Sequence, residues 1–212
     1  MTSETVIRPY RPEDYDALGK ICILTGDSGV DATGKFFDDE LLPMIYAYPY
    51  AEYAPELARI VERDGEVVGY LIGVADVRAF AKWWQEEWTP KFRQRFPFDP
   101  KWTDAEQALV AKGLDPQQAL VGPHTDEYPA ELHIDLLPVT QGQGLGRRLI
   151  ENYRADLAKR GVKRLSLGVG ARNQGAVAFY RRLGFETLAE HKSADGEVTG
   201  YTMWIATEDD SE

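Results

Sequence analysis

Apolar positions along the chain alternate between short runs with period two and longer stretches with helical spacing. Val6-Ile7-Arg8 reads as a first strand. Pro9 and Pro12 close it and open a helix, with Pro12 near the first helical position, and Tyr15, Leu18, Ile21 and Cys22 then recur at helical spacing. A Gly/Asp-rich loop covers 26–34, and a second helical stretch is expected from about Thr33 to Leu42, before Pro43. Leu57–Arg63 and Val67–Val74 read as strands joined at Asp64-Gly65, a hairpin dipeptide, and are expected at the centre of an antiparallel sheet. Leu132–Leu137 is the next strand. From Gly144 to Arg160, Leu145, Leu149, Ile150, Tyr153 and Leu157 form one apolar stripe, and Gly161 stops the helix. Arg164–Val169 reads as a strand and Gly175–Leu183 as a helix ended by Gly184. Phe185–His191 and Val198–Ile205 pair around Asp195-Gly196.

Residues 79–130 break this rhythm. Trp83, Trp84, Trp88 and Trp102 fall here with Phe80, Phe92, Phe96 and Phe98, and Thr103 with Glu106 makes a capping-box pattern for a short helix ending near Gly113. The segment is too apolar for a disordered linker, so it is expected to be a Trp-rich helical insertion between two sheet strands. Phe80, Trp84 and Trp88 sit near one helical face, and such a stripe is more often core than ligand site. The order of elements predicts an α/β (α+β) fold with a central, mixed, mostly antiparallel twisted sheet of six to seven strands flanked by helices. It is expected to be one domain over 1–207, with the insertion at about 79–130 and an acidic, frayed tail at 208–212.

Composition narrows the function. The chain has 212 residues and a formal net charge of -11, which argues against nucleic-acid binding, a role that needs a basic face. The single cysteine, Cys22, cannot form an internal disulfide and falls on the apolar side of a predicted helix, so a cytoplasmic location is expected. There is no apolar leader pattern and no apolar run of membrane-spanning length, so no membrane role is expected. His124, His133 and His191 are widely spaced and show no ligand pattern, so no metal is expected.

The chemically informative segment runs from Leu136 to Arg148, where a strand gives way to a helix through a loop holding three glycines, Gly142, Gly144 and Gly146. A helix start presents unpaired N–H groups and the positive end of a dipole. Glycines there let an anionic ligand approach the backbone, and a diphosphate is the natural occupant. A P-loop would need Lys followed by Ser or Thr where this chain has Arg147-Arg148. A dinucleotide fingerprint would place its third glycine at Arg147.

Gln141-Gly142-Gln143-Gly144-Leu145-Gly146 resembles the Gln/Arg-x-x-Gly-x-Gly/Ala motif of the GNAT N-acetyltransferase superfamily. Asn173-Gln174-Gly175-Ala176-Val177-Ala178-Phe179-Tyr180, followed by Gly184-Phe185, resembles that superfamily's second motif, and Ile7-Arg8-Pro9-Tyr10 with Asp14 its opening. A closer likeness is to the acetyltransferase-like domain at the C-terminus of eukaryotic O-GlcNAcases, carried by Gly73-Val74-Ala75-Asp76-Val77-Arg78-Ala79-Phe80 and the Trp/Lys-rich stretch after it. Those domains lack a good coenzyme A loop, whereas this chain has an intact one. The resemblance implies the GNAT fold and acetyl-CoA as co-substrate.

It also implies roles. The backbone of Leu136, Leu137 and Val139 would pair with the pantetheine arm as an added strand. The N–H groups of Gln141, Gly142, Gln143, Gly144, Leu145, Gly146 and Arg147 would hold the diphosphate. Tyr180 would protonate the departing thiolate. Asn173 fits both a helix cap and a cofactor contact. His133 and Asp135 share one strand face by alternation. Asp135 is the candidate base or amine anchor with His133 behind it, and Asp76 is a third candidate. A hydrogen-bonded buried Asp and a satisfied core His remain the alternatives. The acceptor is an amine on a small molecule, protein or peptide. A homodimer is compatible with the sequence, which marks no interface. The rival function is a catalytically weak coenzyme A-binding or protein-binding module with the same fold.

Overall fold

The structure, a computed structural model, describes residues 4–208. The predicted tail beyond Glu208 lies outside them. Strand β1 (Thr5–Pro9) leads through a 3-10 turn at Pro12–Asp14 into α1 (Tyr15–Thr25). The Arg8 guanidinium donates to both carboxylate oxygens of Asp14 at 2.7 Å, which ties the strand to the start of the helix.

The helix expected over 33–42 does not form. Three aspartates satisfy the backbone locally instead: Asp31 accepts from the Thr33 N–H at 2.8 Å, Asp39 from Gly34 at 2.7 Å and Asp38 from Glu40 at 2.9 Å. Such bonds compete with the helical ladder, and Gly34 sits at φ 71°, outside helical space. Pro43 then opens a helix rather than closing one. The short helices α2 (Pro43–Tyr46) and α3 (Tyr48–Tyr53) follow, both with proline in the first turn.

Strands β2 (Arg59–Arg63) and β3 (Glu66–Val74) form the expected hairpin, with Asp64 at φ 52° and Gly65 at φ 85°, both left-handed as a type I′ turn needs. The insertion is helical: α4 (Val77–Trp83), a π turn at Trp84–Trp88, α5 (Thr89–Arg95), α6 (Asp104–Leu114) and α7 (Pro116–Leu120). Thr103 and Glu106 form the predicted capping box at the start of α6. The chain continues through β4 (Ala130–Leu136), α8 (Leu145–Lys159), β5 (Arg164–Gly170), α9 (Gln174–Arg182), β6 (Glu186–Lys192) and β7 (Val198–Ala206).

The seven strands lie in the order β1-β2-β3-β4-β5-β7-β6. The β2–β3 hairpin is therefore off-centre, and β4 is the central strand. All neighbours are antiparallel except β4 and β5. β4 pairs with β3 from Glu131 to Leu136, but with β5 at Ala130 and Glu131 alone. Beyond Glu131 the two strands part and the sheet opens into a V.

Helix α8 packs on one face of the sheet. Its Tyr153 hydroxyl reaches the carbonyls of Val74 at 3.0 Å and Glu131 at 2.8 Å. Gly73 leaves the room, because a Cβ there would lie 2.4 Å from that hydroxyl. Helices α1 and α3 and the insertion cover the other face. Phe80, Trp84 and Trp88 are each at most 1% exposed. The Trp84 indole donates to the Gly113 carbonyl at 3.1 Å and that of Trp88 to Met44 at 2.9 Å, so both rings are packed with their polar edge satisfied.

Candidate active site

The glycine-rich turn lies at the open end of β4. Pro138–Thr140 makes a 3-10 turn, and Gly142 (φ 74°) and Gly144 (φ 68°) take left-handed conformations. Gly144 is the N-cap of α8 and offers no side-chain cap. The first N–H groups of the helix, from Leu145 to Arg147, thus have no partner within it. Gly146 serves packing: a Cβ there would lie 2.8 Å from the Phe179 ring of α9. The two helices flank a cleft of about 680 Å³ whose wall includes Ile134, Leu136, Thr140, Asn173 and Tyr180. Arg147 and Arg182 line it and no carboxylate does, in a chain of net charge -11. A diphosphate with an extended arm fits this donor set.

The structure redistributes the backbone contacts expected for that arm. The Leu137 N–H donates to Val68 at 3.0 Å and its carbonyl accepts from Thr140. The Val139 carbonyl already accepts from Gln143 at 2.9 Å and Arg63 at 3.0 Å. Because backbone groups alternate in direction along an antiparallel strand, bonding of Leu137 to β3 turns those of Leu136 and Ile134 into the V. Those two residues present the open strand edge. Asn173 does what a cap does, accepting from the Ala176 N–H at 3.0 Å, and it also lines the cleft.

Tyr180 reaches the cleft from α9 with its ring against Phe179 and Phe185. It is 8% exposed, and burial, with the nearby Asp135 charge, raises its pKa. The phenol stays protonated at neutral pH. Asp135 projects from the opposite face of β4 and is held by two hydroxyls: Tyr70 donates at 2.5 Å and Thr25 lies at 3.0 Å. Burial raises its carboxyl pKa, and the two hydroxyls only partly offset this. The Thr25 hydroxyl also lies 2.8 Å from the Ile21 carbonyl. Burial, helped by Lys112, pushes the His133 imidazole down to about 4, so it is neutral at pH 7. Asp76 lies elsewhere, past the far end of β3, where it caps α4 by accepting from the Ala79 N–H at 3.0 Å. The structure does not bring it to the cleft.

A model of the acetyltransferase (GNAT) family matches residues 30–185. The chain belongs to the GNAT acetyltransferase family. Among solved structures, that of SsHAT is 36% identical and covers 97% of this chain and 100% of its own, with a TM-score of 0.86. Rat (Rattus norvegicus) protein O-GlcNAcase is 22% identical over 202 residues, 91% of this chain but 21% of that protein, so the chain spans about a fifth of it. The [ribosomal protein bS18]-alanine N-acetyltransferase of Escherichia coli (strain K12) is 52% identical over 48 residues, 23% of this chain and 32% of the relative.

Several groups around the V are not legible from motifs. Glu131 lies on the same face as His133 and Asp135. It accepts a short hydrogen bond from Tyr50 of α3, whose oxygen is also 3.1 Å from His133 Nε2. Alternation alone adds Glu131 to the His133–Asp135 file. Tyr50 and Tyr70 carried no signal, since tyrosines at those positions are consistent with simple core packing. Of the Trp-rich stripe, Phe80 and Trp88 are core, and Trp84 shows an edge to a second, smaller cavity.

Proposed function

We propose that this protein moves the acetyl group of acetyl-CoA onto an amine by direct attack in a ternary complex. The observation that carries the reading is the cleft at the uncapped start of α8, beside a strand edge that the parting of β4 and β5 leaves open. The N–H groups from Gly142 to Arg147 hold the diphosphate, aided by the helix dipole, whereas that of Gln141 already donates to the Pro138 carbonyl at 3.1 Å. The backbone of Leu136 and Ile134 takes the pantetheine arm. When bound, acetyl-CoA supplies the activated thioester.

The reaction forms a C–N bond and breaks the C–S bond. An ammonium acceptor gives up two protons: one ends on the coenzyme A sulphur and the other leaves to water. Tyr180 delivers the first, because its raised pKa keeps the phenol in the donor form. Asp135 receives a proton from the amine. A raised carboxyl is a better base at neutral pH than an ordinary one. His133 stands behind it on the same face. The reading places the enzyme in the cytoplasm, where a single reduced cysteine persists.

Two measurements test this. Isothermal titration with acetyl-CoA reads binding, and a thiol-release assay across amines reads turnover. Tyr180→Phe is expected to lower kcat by about 10²–10⁴-fold with acetyl-CoA affinity unchanged. Full kcat in that variant removes Tyr180 as the acid, and no binding to monodisperse wild type sinks the reading.

A further inference from the structure

On the face of the sheet away from α8, the V between β4 and β5 opens into a cavity of about 340 Å³. Its floor is polar: Glu131 and His133 come from β4, and Tyr50 stands over both. Gly168 and Gly170 make the β5 wall. By the parallel pairing of Glu131 with Ser166, they sit on the same sheet face as Glu131 and His133. A Cβ on either would meet nothing within 4 Å, so these glycines help leave the cavity open. Ile45, Tyr46, Trp84 and Leu120 supply apolar walls. Lys112 of α6 stands at the exposed side, with its ammonium donating to the Tyr46 hydroxyl at 3.1 Å.

The hydrogen bonds on the floor have a direction. Burial raises the Glu131 carboxyl pKa and the Tyr50 hydrogen bond counters it; in the ionised form the one Tyr50 hydrogen goes to Glu131 Oε1. His133 Nε2 must then carry its own hydrogen and donate to Tyr50, and a neutral imidazole so arranged keeps a lone pair on Nδ1. The second Glu131 oxygen accepts no hydrogen bond among the described residues. A carboxylate oxygen and an imidazole lone pair are thus left as acceptors in a small, mostly apolar chamber. Both are acceptors only, which suits a cation with several N–H donors. Successive residues on one face are about 7 Å apart, so His133 lies one such step from Asp135, and Ile134 between them lines the cofactor cleft.

We propose that this cavity, on the side of the sheet opposite the cofactor cleft, receives the acceptor, with Glu131 and His133 holding the ammonium of a primary amine on a short apolar stem. The inference rests on the transfer reaction proposed above. The volume, at the low end for ligand sites, admits a small molecule or a single side chain. Lys112 at the mouth disfavours a second positive charge at the far end of the stem, so a monoamine is preferred over a diamine.

Three probes share one four-carbon stem: butylamine, 1,4-diaminobutane and 4-aminobutanoate. Nα-acetyl-lysine amide presents the same group as a protein side chain. Wild type is expected to favour butylamine and 4-aminobutanoate over the diamine by about fivefold in kcat/KM, and Lys112→Glu to reverse the order. Glu131→Gln is expected to lower kcat/KM by about 10- to 100-fold for every amine, with acetyl-CoA affinity unchanged. Gly168→Val fills the cavity from an exposed strand position, and at least about tenfold loss of kcat/KM is expected there with the same unchanged affinity. Turnover of butylamine but not of the lysine amide places the acceptor among free amines, and turnover of both admits protein side chains. Acetyl-CoA binding with no turnover of any probe, or full kcat/KM in both Glu131→Gln and Gly168→Val, overturns the acceptor assignment and leaves the cofactor site standing. Failure to bind acetyl-CoA defeats the transfer reaction itself.

Discussion

Replacing Gly144 separates two properties that the glycine turn combines. Gly144 sits at φ 68° with open space around its missing Cβ, and it caps α8 without a side chain. Gly144→Ala meets no clash, so it costs the left-handed penalty alone, about 1–2 kcal/mol of stability. Gly144→Asp tolerates the same conformation better, and its carboxylate can accept from the free N–H groups. A carboxylate at the N-cap returns about 0.5–2 kcal/mol, and the helix dipole adds about 0.3–1 kcal/mol. The Asp variant is therefore expected to be as stable as wild type within about 1 kcal/mol. Binding should rank the other way. In the Asp variant the anion site is filled from within, which removes charge-assisted bonds of about 1.5–3 kcal/mol and adds repulsion of about 1 kcal/mol even in water. A loss of at least about 2 kcal/mol corresponds to roughly 30-fold or more in Kd. In the Ala variant the N–H groups stay free and the affinity should change by less than about fivefold. Urea unfolding reads the first quantity and isothermal titration with acetyl-CoA the second. Equal affinities for the Ala and Asp variants, or wild-type binding by Gly144→Asp, would refute the anion site at the start of α8.

Other consequences concern the β4 face and the insertion. Burial raises the carboxyl pKa of Asp135, so its contribution to stability is fully present below the unfolded value of about 4 and is lost as pH rises through the folded value. Asp135→Asn should thus lose less stability than wild type as pH rises from about 4 to 8, and parallel urea midpoints across that range would contradict the assignment. If Asp135 takes the amine proton, the same variant should also lower kcat/KM, and normal activity at every pH would remove it as the base. Trp88→Ala should cost about 3–5 kcal/mol in urea unfolding, because the ring is 1% exposed and its indole bond to Met44 is lost as well. Cys22 is buried, and burial raises its thiol pKa, so the native protein should resist a thiol reagent that labels it after unfolding.

Much of the fold is local enough to read from the chain. The stripe of α8, the Asp64-Gly65 turn and the Thr103–Glu106 capping box each depend on residues within a turn or two, and each lies where its pattern puts it. The 33–42 segment departs from its helical periodicity because the local bonds of Asp31, Asp38 and Asp39 satisfy its N–H groups outside a helix. Helices α2 and α3 are held by the core around Tyr48 and Tyr50, with little pattern of their own.

The site divides along the same line. By itself the sequence determined the glycine turn, the helix that follows it and the shared face of His133 and Asp135, because each follows from spacing along one element, while the Tyr180 segment stands out through its resemblance to a family motif. What tertiary structure alone decided is which strand edge stays open. Leu137 and Val139 are already bonded, while the parting of β4 and β5 turns Ile134 and Leu136 into the V. It also decided that Asp76, near in type to Asp135, caps a distant helix, and that Tyr50, 81 residues from Glu131, stands over it. Chain spacing sets which residues share a face, but contacts between distant segments form only when the whole core closes, and no local pattern encodes them.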